Sequence, residues 1–366
     1  RGERDVLVTA IEARPLRSLE RVRVELAGGI VSVIGPNGTG KTNLVEALYF
    51  ALTGRSFRTS DRRDLIPFGG SLARAEATIR DEDGIERNLL ASVSRSEGRR
   101  HLLDGSPADP AAIARSRPPV AVFAPDRLTL VKGPPAERRA HLDGFVAARW
   151  PARGELRKRF GQAVAQRNAL LARLSGGYGT PEDLRIWDTG MADAAAPLVG
   201  ARAEAVAELS QPFAAAADEL GLEGASLEYA PRAAGSAEEI RAGLEERREQ
   251  DIRLGRSSWG PHLDELKLNS GDRSLRRFGS QGQQRAALLA LLFAEREALL
   301  AARRVTPLLL LDDVMSELDP GRRERLVARL DDGGQVLITA ADSEQVPAKA
   351  RETVVAMPPQ TEGAGA

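Results

Sequence analysis

The chain has 366 residues, a formal net charge of zero and no cysteine. That length predicts a large core plus a second lobe, and the missing cysteines exclude a disulfide framework, a thiolate metal site and a cysteine nucleophile. No apolar run approaches the ~20 residues of a membrane-spanning helix, and the start, Arg1-Gly2-Glu3-Arg4-Asp5, is too charged for a secretory signal, so a soluble, cytoplasmic protein without a membrane partner is expected.

In chain order, the first elements read as strands: Val6-Leu7-Val8, then Val22 to Leu26 alternating at period two, then the apolar run Ile30 to Ile34. A Gly-rich stretch follows, and Leu44, Val45, Ala47 and Leu48 after it predict a helix. Ala75 to Ile79 reads as a strand, and Asp81-Glu82-Asp83-Gly84 as a hairpin turn into another strand over Arg87 to Val93. From about 135 to 255 the sequence becomes rich in Ala, Leu, Glu and Arg, with a helix predicted over Glu155 to Leu174. Gly176-Gly177-Tyr178-Gly179-Thr180-Pro181 should break that lobe, and Pro197 and Pro212 should interrupt its remaining helical sequence, excluding a long coiled coil. An α/β pattern returns after Trp259 and ends in the strands Leu308 to Leu311 and Val336 to Ile338. The expected organisation is an α/β head formed by residues 1–115 together with 256–366, an inserted helical lobe over 116–255, and a disordered tail over 358–366.

Gly35-Pro36-Asn37-Gly38-Thr39-Gly40-Lys41-Thr42 meets the phosphate-loop pattern G-x-x-x-x-G-K-[ST] at every fixed position, between a predicted strand and a predicted helix. The glycines let successive N–H groups curl around phosphates, Lys41 neutralises β/γ oxygens, and the Thr42 hydroxyl completes a Mg2+ shell, with Asn43 opening the helix behind them. ATP and Mg2+ are therefore the expected ligands. Leu308 to Leu311 followed by Asp312-Asp313 supplies the acidic strand such a site needs. Asp312 would hold Mg2+ directly or through water, and Asp313 would orient or deprotonate the attacking water. Ser280, Gly282 and Gln283 precede a helical run, which makes a second anion site at a helix N-terminus. One chain needs no second phosphate site for one nucleotide, so Ser280 is expected to close on the γ-phosphate held by another subunit, giving an ATP-dependent homodimer.

This order of motifs resembles the ABC-type ATPases, with Ser280-Gln281-Gly282-Gln283 as their signature loop and Ser316, Glu317, Leu318 and Asp319 as their D-loop at the dimer interface. The long interval from Thr42 to Ser280 resembles the SMC-like branch, with a short arm. Pro125 to Pro135, Arg138-Arg139-Ala140-His141-Leu142-Asp143, Gly54-Arg55-Ser56-Phe57-Arg58 and Gly260-Pro261-His262 together look like the RecF family. That resemblance implies a weak, DNA-stimulated ATPase that binds double-stranded DNA near single-strand gaps and works with RecR and RecO to help RecA load. It departs from related patterns at Ala13 to Ser18, which lacks the usual aromatic, and at Val122-Phe123-Ala124-Pro125, where many ABC ATPases carry a lid glutamine. Thr339 stands at the switch position that is histidine in transporters, which implies slow hydrolysis with Thr339 polarising phosphate or water. None of His101, His141 and His262 is expected to be catalytic. An ATP-binding subunit of a transporter is the alternative reading.

Neutral net charge supplies no global field for DNA, so phosphate contacts must come from local basic faces. The candidates are Arg55, Arg58, Arg62, Arg63, Arg99 and Arg100, with Arg138-Arg139 and Arg157-Lys158-Arg159 as further clusters; an ordinary solvated face is the commoner explanation of any one cluster, and Arg138 and Arg139 could instead pair with acids inside the lobe. Only five of the 52 basic residues are lysines, which suits bidentate phosphate contacts but is explained first by an arginine-biased codon usage.

Overall fold

The computed structural model describes residues 6–59, 61–81, 83–303, 306–330 and 333–357, and the expected tail over 358–366 lies outside them. In chain order the strands are β1 (Leu7–Ala13), β2 (Val22–Glu25), β3 (Ile30–Ile34), β4 (Leu72–Arg80), β5 (Glu86–Ser94), β6 (Gly98–Leu103), β7 (Ser106–Pro107), β8 (Val120–Phe123), β9 (Ala225–Ala230), β10 (Glu265–Ser270), β11 (Arg273–Ser274), β12 (Leu308–Leu311), β13 (Val336–Ala340) and β14 (Val354–Ala356). The chain divides into a head unit of residues 1–128, 219–221 and 299–366 and a lobe unit of residues 129–218 and 222–298.

The head unit holds a five-stranded parallel sheet, order β14-β3-β13-β12-β8, and a six-stranded antiparallel sheet, order β2-β1-β4-β5-β6-β7. β12 reads Leu308-Leu309-Leu310-Leu311 and is buried at every position, as a central parallel strand covered on both faces must be. β4 instead alternates, with Ala73, Ala75, Ala77 and Ile79 buried and the residues between them less so, because only one face of its sheet packs inward. Helix Lys41–Thr53 is buried along most of its length and shares one apolar cluster with both sheets, including Leu44, Leu48, Val31, Ala75 and Leu310. A helix apolar nearly all round is stable only when enclosed in this way. The parallel sheet brings the carboxyl ends of β3, β12 and β13 together, the edge where open α/β sheets bind ligands.

The lobe unit has its own apolar cluster around Phe160, Met191, Leu198, Ile240 and Leu244, built mainly from helices Leu156–Ser175, Leu184–Glu219 and Ala237–Glu246. It is also crossed by fully buried charges. Arg138 donates to both oxygens of Glu265 at 2.7 and 2.9 Å and to the carbonyls of Leu130, Val131 and Gly133. Arg202 donates to both oxygens of Asp143, to Asp264 and to the Pro261 carbonyl. Arg167, with no exposed surface, bridges Asp188 and Asp251.

Three expectations change. The head boundary near 115 is too early, because β8 pairs with β12 in the parallel sheet from Val120↔Leu308 to Phe123↔Leu311. Residues 256–298 pack in the lobe unit, because β10 pairs with β9 over six positions; the lobe is therefore not wholly helical. Finally, helix Leu184–Glu219 runs for 36 residues through both Pro197 and Pro212. A proline at i deprives the carbonyl at i−4 of its partner, here Asp193 and Glu208. Asp193 is exposed and Glu208 half-buried, so water can take those bonds while the opposite face stays packed.

Candidate nucleotide site

The turn after β3 takes its shape from glycine. Gly38 and Gly40 have φ of +88° and +90°, and a Cβ on Gly40 would stand 2.6 Å from the Leu19 side chain. The first intrahelical bond runs from Leu44 N to Gly40 O, so the N–H groups of Lys41, Thr42 and Asn43 have no helical acceptor and face the loop's concavity. Lys41 Nζ donates to the carbonyls of Gly35 (2.6 Å) and Pro36 (2.9 Å). Burial lowers the Lys41 pKa, with Asp313 and Asp312 opposing. Thr39 turns its hydroxyl onto Pro36 O at 2.9 Å and serves the loop rather than its surroundings.

The acidic strand meets this loop as expected. Thr42 Oγ1 donates to Asp312 Oδ2 at 2.8 Å across 270 residues of sequence. Thr339 Oγ1 donates to Asp312 Oδ1 at 2.8 Å and accepts from Asp313 N at 2.9 Å. Burial raises the Asp312 pKa, the Thr339 and Thr42 bonds oppose it, and the neighbouring Asp313 adds to it. Asp313 itself has φ +49°, left-handed backbone that a non-glycine residue adopts at a cost of about 1–3 kcal/mol, held here by the Thr339 bond. No cluster of three or more His, Cys, Asp or Glu fit to hold a metal exists among the described residues. Thr42 and Asp312 give one hydroxyl and one carboxylate, a donor set that suits Mg2+, which takes its remaining ligands from phosphates and water.

The remaining expected positions sort differently. Thr339 lies within β13 rather than after it, fully buried, and its hydroxyl is committed to the two aspartates, so it positions them instead of reaching phosphate. The Asn43 side chain is engaged by Ser18 and Arg58, leaving its backbone N–H as its contribution. Ser280 and Gln283 form a reciprocal cap at the start of helix Gln281–Arg303: Gln283 N donates to Ser280 Oγ and Ser280 N donates to Gln283 Oε1. That cap uses Ser280 Oγ as an acceptor and leaves its proton to donate. Gly282, between them, is half-buried. In the proposed interface segment Ser316 is exposed and Asp319 caps the next helix through Arg322 N, but Leu318 is buried within its own subunit and cannot serve as a surface contact; the Glu317 side chain lies outside the described residues.

The description RecF/RecN/SMC N terminal domain matches residues 7–364 of this chain. The DNA replication and repair protein RecF of Streptomyces avermitilis is 38% identical, covering 93% of this chain and 95% of that protein. The chain belongs to the RecF family. RecF of Heliobacterium modesticaldum is 33% identical over 91% of both chains. A solved structure of the recombination mediator protein RecF-ATPrS in the RecFOR pathway superposes with a TM-score of 0.82 at 24% identity, covering 95% of this chain and 96% of that one. An SMC head bound to a ScpA domain has the same broad fold at a TM-score of 0.56 and 17% identity, covering 95% and 93%.

The family's short signatures acquire physical roles here. In Gly54-Arg55-Ser56-Phe57-Arg58, Ser56 and Arg58 bond the fully buried Glu46, which Arg17 also holds through two bonds of 2.9 Å. Glu46 carries no motif, so sequence reading missed it. Arg58 also faces Asn43 and its field reaches Asp312, which places it beside the nucleotide loop. Among the other arginine candidates, Arg63 is paired with Asp61 and Arg100 with Glu97. Arg55, Arg62 and Arg99 gather instead: Arg62 is half-buried, and burial, Arg99 and Arg55 together lower its pKa. Arg138 and Arg139 are internal, bound to Glu265 and the Asp264 carbonyl, and Arg157 and Lys158 pair with Asp143 and Glu155.

The three histidines take structural positions in this RecF-family chain. His141 Nε2 lies 2.6 Å from Glu295, and His262 stacks on Phe160 with Nε2 3.2 Å from Ser257 O. His101 Nε2 lies 2.9 Å from Ala51 O; burial lowers its pKa, the Ala51 bond opposes, and Arg99 and Arg117 lower it further. A histidine depressed in the folded state is protonated first in the unfolded chain, so its contribution to stability is present above the unfolded value of about 6.5 and is lost as pH falls toward the folded one. Urea midpoints measured at pH 7.5 and pH 5 should therefore fall more for wild type than for His101→Gln. Equal falls would show that His101 contributes nothing to the pH dependence.

Proposed function

We propose that this chain is a DNA replication and repair ATPase that dimerises on Mg-ATP, holds double-stranded DNA near single-strand gaps in that state, and releases it after slow hydrolysis. Its relatives carry the repair name, and the structural relative is described as a recombination mediator of the RecFOR pathway; RecR and RecO as partners, and RecA loading as the outcome, follow from that kinship. The observation that carries the reading is the bonded path Thr42–Asp312–Thr339–Asp313, which joins the phosphate loop to an acid able to act on water. Slow turnover fits a switch residue committed to positioning, with no ionisable proton to exchange near neutral pH. Ser280, whose hydroxyl proton is still available at a helix N-terminus, supplies the reach toward a second subunit's γ-phosphate. The transporter alternative gains no support, since the family match spans the inserted lobe as well as the nucleotide motifs.

Sedimentation with Mg-ATP and labelled gapped duplex tests this directly. Wild type should become a dimer that retains DNA, Lys41→Met should not respond to ATP, and Ser280→Arg should bind ATP yet remain monomeric. Three monomers that retain no DNA under any nucleotide would sink the switch.

A further inference from the structure

The most exposed aromatic side chain among the described residues, Phe68, is at 108% of its reference exposure. It occupies the second position of the turn Pro67-Phe68-Gly69-Gly70, closed by Gly70 N to Pro67 O at 2.9 Å, with Gly69 at φ +75°. A glycine at positive φ in the third place of such a turn holds the second residue at its apex. The turn is anchored on both sides. Leu65 and Ile66 are buried before it, and after it Arg95 donates from Nε to Gly70 O and from its backbone N to Ser71 O. A large apolar ring is thus held out in water by a backbone that is itself tied down, and covering it with a partner would be favourable by about 1.5–3 kcal/mol.

The surroundings indicate what chemistry that partner has. Arg62 stands six residues before Phe68, in the short helical turn that leads to Leu65. Arg99 faces Val93 across β5 and β6, and Val93 faces Ala73 at the start of β4, so Arg99 lies at the sheet end from which the Phe68 turn emerges. Arg55 follows Gly54, which abuts His101 two residues from Arg99 on the same strand. Among the described residues, none of Arg55, Arg62 and Arg99 has a carboxylate within ion-pair distance, so three guanidiniums and an exposed ring share one end of the antiparallel sheet. Guanidiniums take phosphates, and a rigid aromatic takes the face of a base; unpaired bases offer such faces and continuous duplex hides them.

We infer that Phe68 stacks on an unpaired base where duplex DNA meets a single strand, while Arg55, Arg62 and Arg99 hold the adjoining phosphates. The inference rests on the DNA-binding reading above and adds to it the side chain that tells a gap from plain duplex. Without the ring, the arginines bind both DNAs alike; with it, the gap is preferred.

The test uses the full chain with Mg-ATP, a gapped duplex carrying 2-aminopurine as the first unpaired base, and a plain duplex of equal length. Phe68→Ala should weaken gapped-DNA binding about tenfold, as expected for one lost base stack, with less than about a twofold change on plain duplex. Phe68→Trp should retain the preference, and its added fluorescence should be quenched by the gapped DNA. Substituting alanine for Arg55, Arg62 and Arg99 together should weaken both DNAs and flatten the salt dependence. ATP binding by each variant checks that the chain is folded. If wild type binds gapped DNA and Phe68→Ala binds it equally well, the inference is overturned while the DNA reading stands. Loss of ATP-dependent dimerisation in Phe68→Ala with DNA affinity intact would assign the ring to a second copy of the chain and overturn it too. Failure of wild type to bind either DNA sinks both.

Discussion

Arg202→Met is expected to destabilise the lobe unit by about 3–5 kcal/mol, the range for removing one partner of a buried, hydrogen-bonded ion pair. The arginine is 3% exposed and stands between two buried acids, Asp143 and Asp264. Its bonds to Asp143 measure 2.7 and 3.0 Å, that to Asp264 2.9 Å and that to the Pro261 carbonyl 2.8 Å. Burial alone would lower its pKa, but Asp143, then Tyr229 and Asp264, more than offset that and hold the guanidinium firmly charged. Methionine fills similar volume and removes every one of these donors. Asp264 would keep the Tyr229 hydroxyl and Arg232 N as donors, whereas Asp143 would keep, among the described residues, only the longer contact to Arg157 at 3.7 Å. The comparison is Lys267→Met, which breaks an exposed 2.7 Å pair with Glu228 and should shift stability by less than about 1 kcal/mol. Chemical unfolding of both variants decides the matter. Equal shifts would mean that the buried lattice contributes no more than a surface pair.

That lattice also explains what could be read from the chain and what could not. The phosphate loop was legible because its chemistry is local, eight consecutive residues with a fixed backbone shape. β12 and the β4–β5 hairpin were legible because burial on two faces or one writes a continuous or an alternating pattern into a few residues. Arg138, Arg139, Asp143 and Gly260-Pro261-His262 stood out as strings, but their meaning lay in partners 59 to 127 residues away, and no periodicity encodes such a pairing. Glu46 escaped because its donors Arg17, Ser56 and Arg58 lie 10 to 29 residues away in loops flanking its helix, a pairing no motif marks, and it reads as an ordinary helix glutamate. Pro197 and Pro212 misled because propensity counts a lost hydrogen bond without knowing that it faces water. Ser280 was visible as an anion loop, and its two bonds with Gln283 add a helix cap that does not exclude that role.

Thr339→Val should leave ATP binding near wild type while lowering hydrolysis by roughly a hundredfold, the scale expected when a reacting group is misplaced by about 1 Å. The two side chains are nearly isosteric, so the change removes a hydroxyl and little else. That hydroxyl has no exposed surface and performs two tasks: it donates to Asp312 Oδ1 and accepts from Asp313 N. Without it Asp312 keeps only the Thr42 donor among the described residues, and the Asp313 N–H loses its acceptor at a residue already in left-handed backbone. An unsatisfied buried donor costs about 1–3 kcal/mol, and the cheapest relief is rotation of the Asp313 peptide, which carries the carboxylate away from the position where it would act on water. Thr339→Ser keeps the hydroxyl and should hydrolyse ATP at close to the wild-type rate. Single-turnover hydrolysis beside nucleotide titration separates the outcomes. Loss of binding in Thr339→Val would show that the hydroxyl mainly shapes Asp312 for the Mg2+ it is proposed to hold, whereas a hydrolysis rate equal to wild type would show that neither aspartate depends on it.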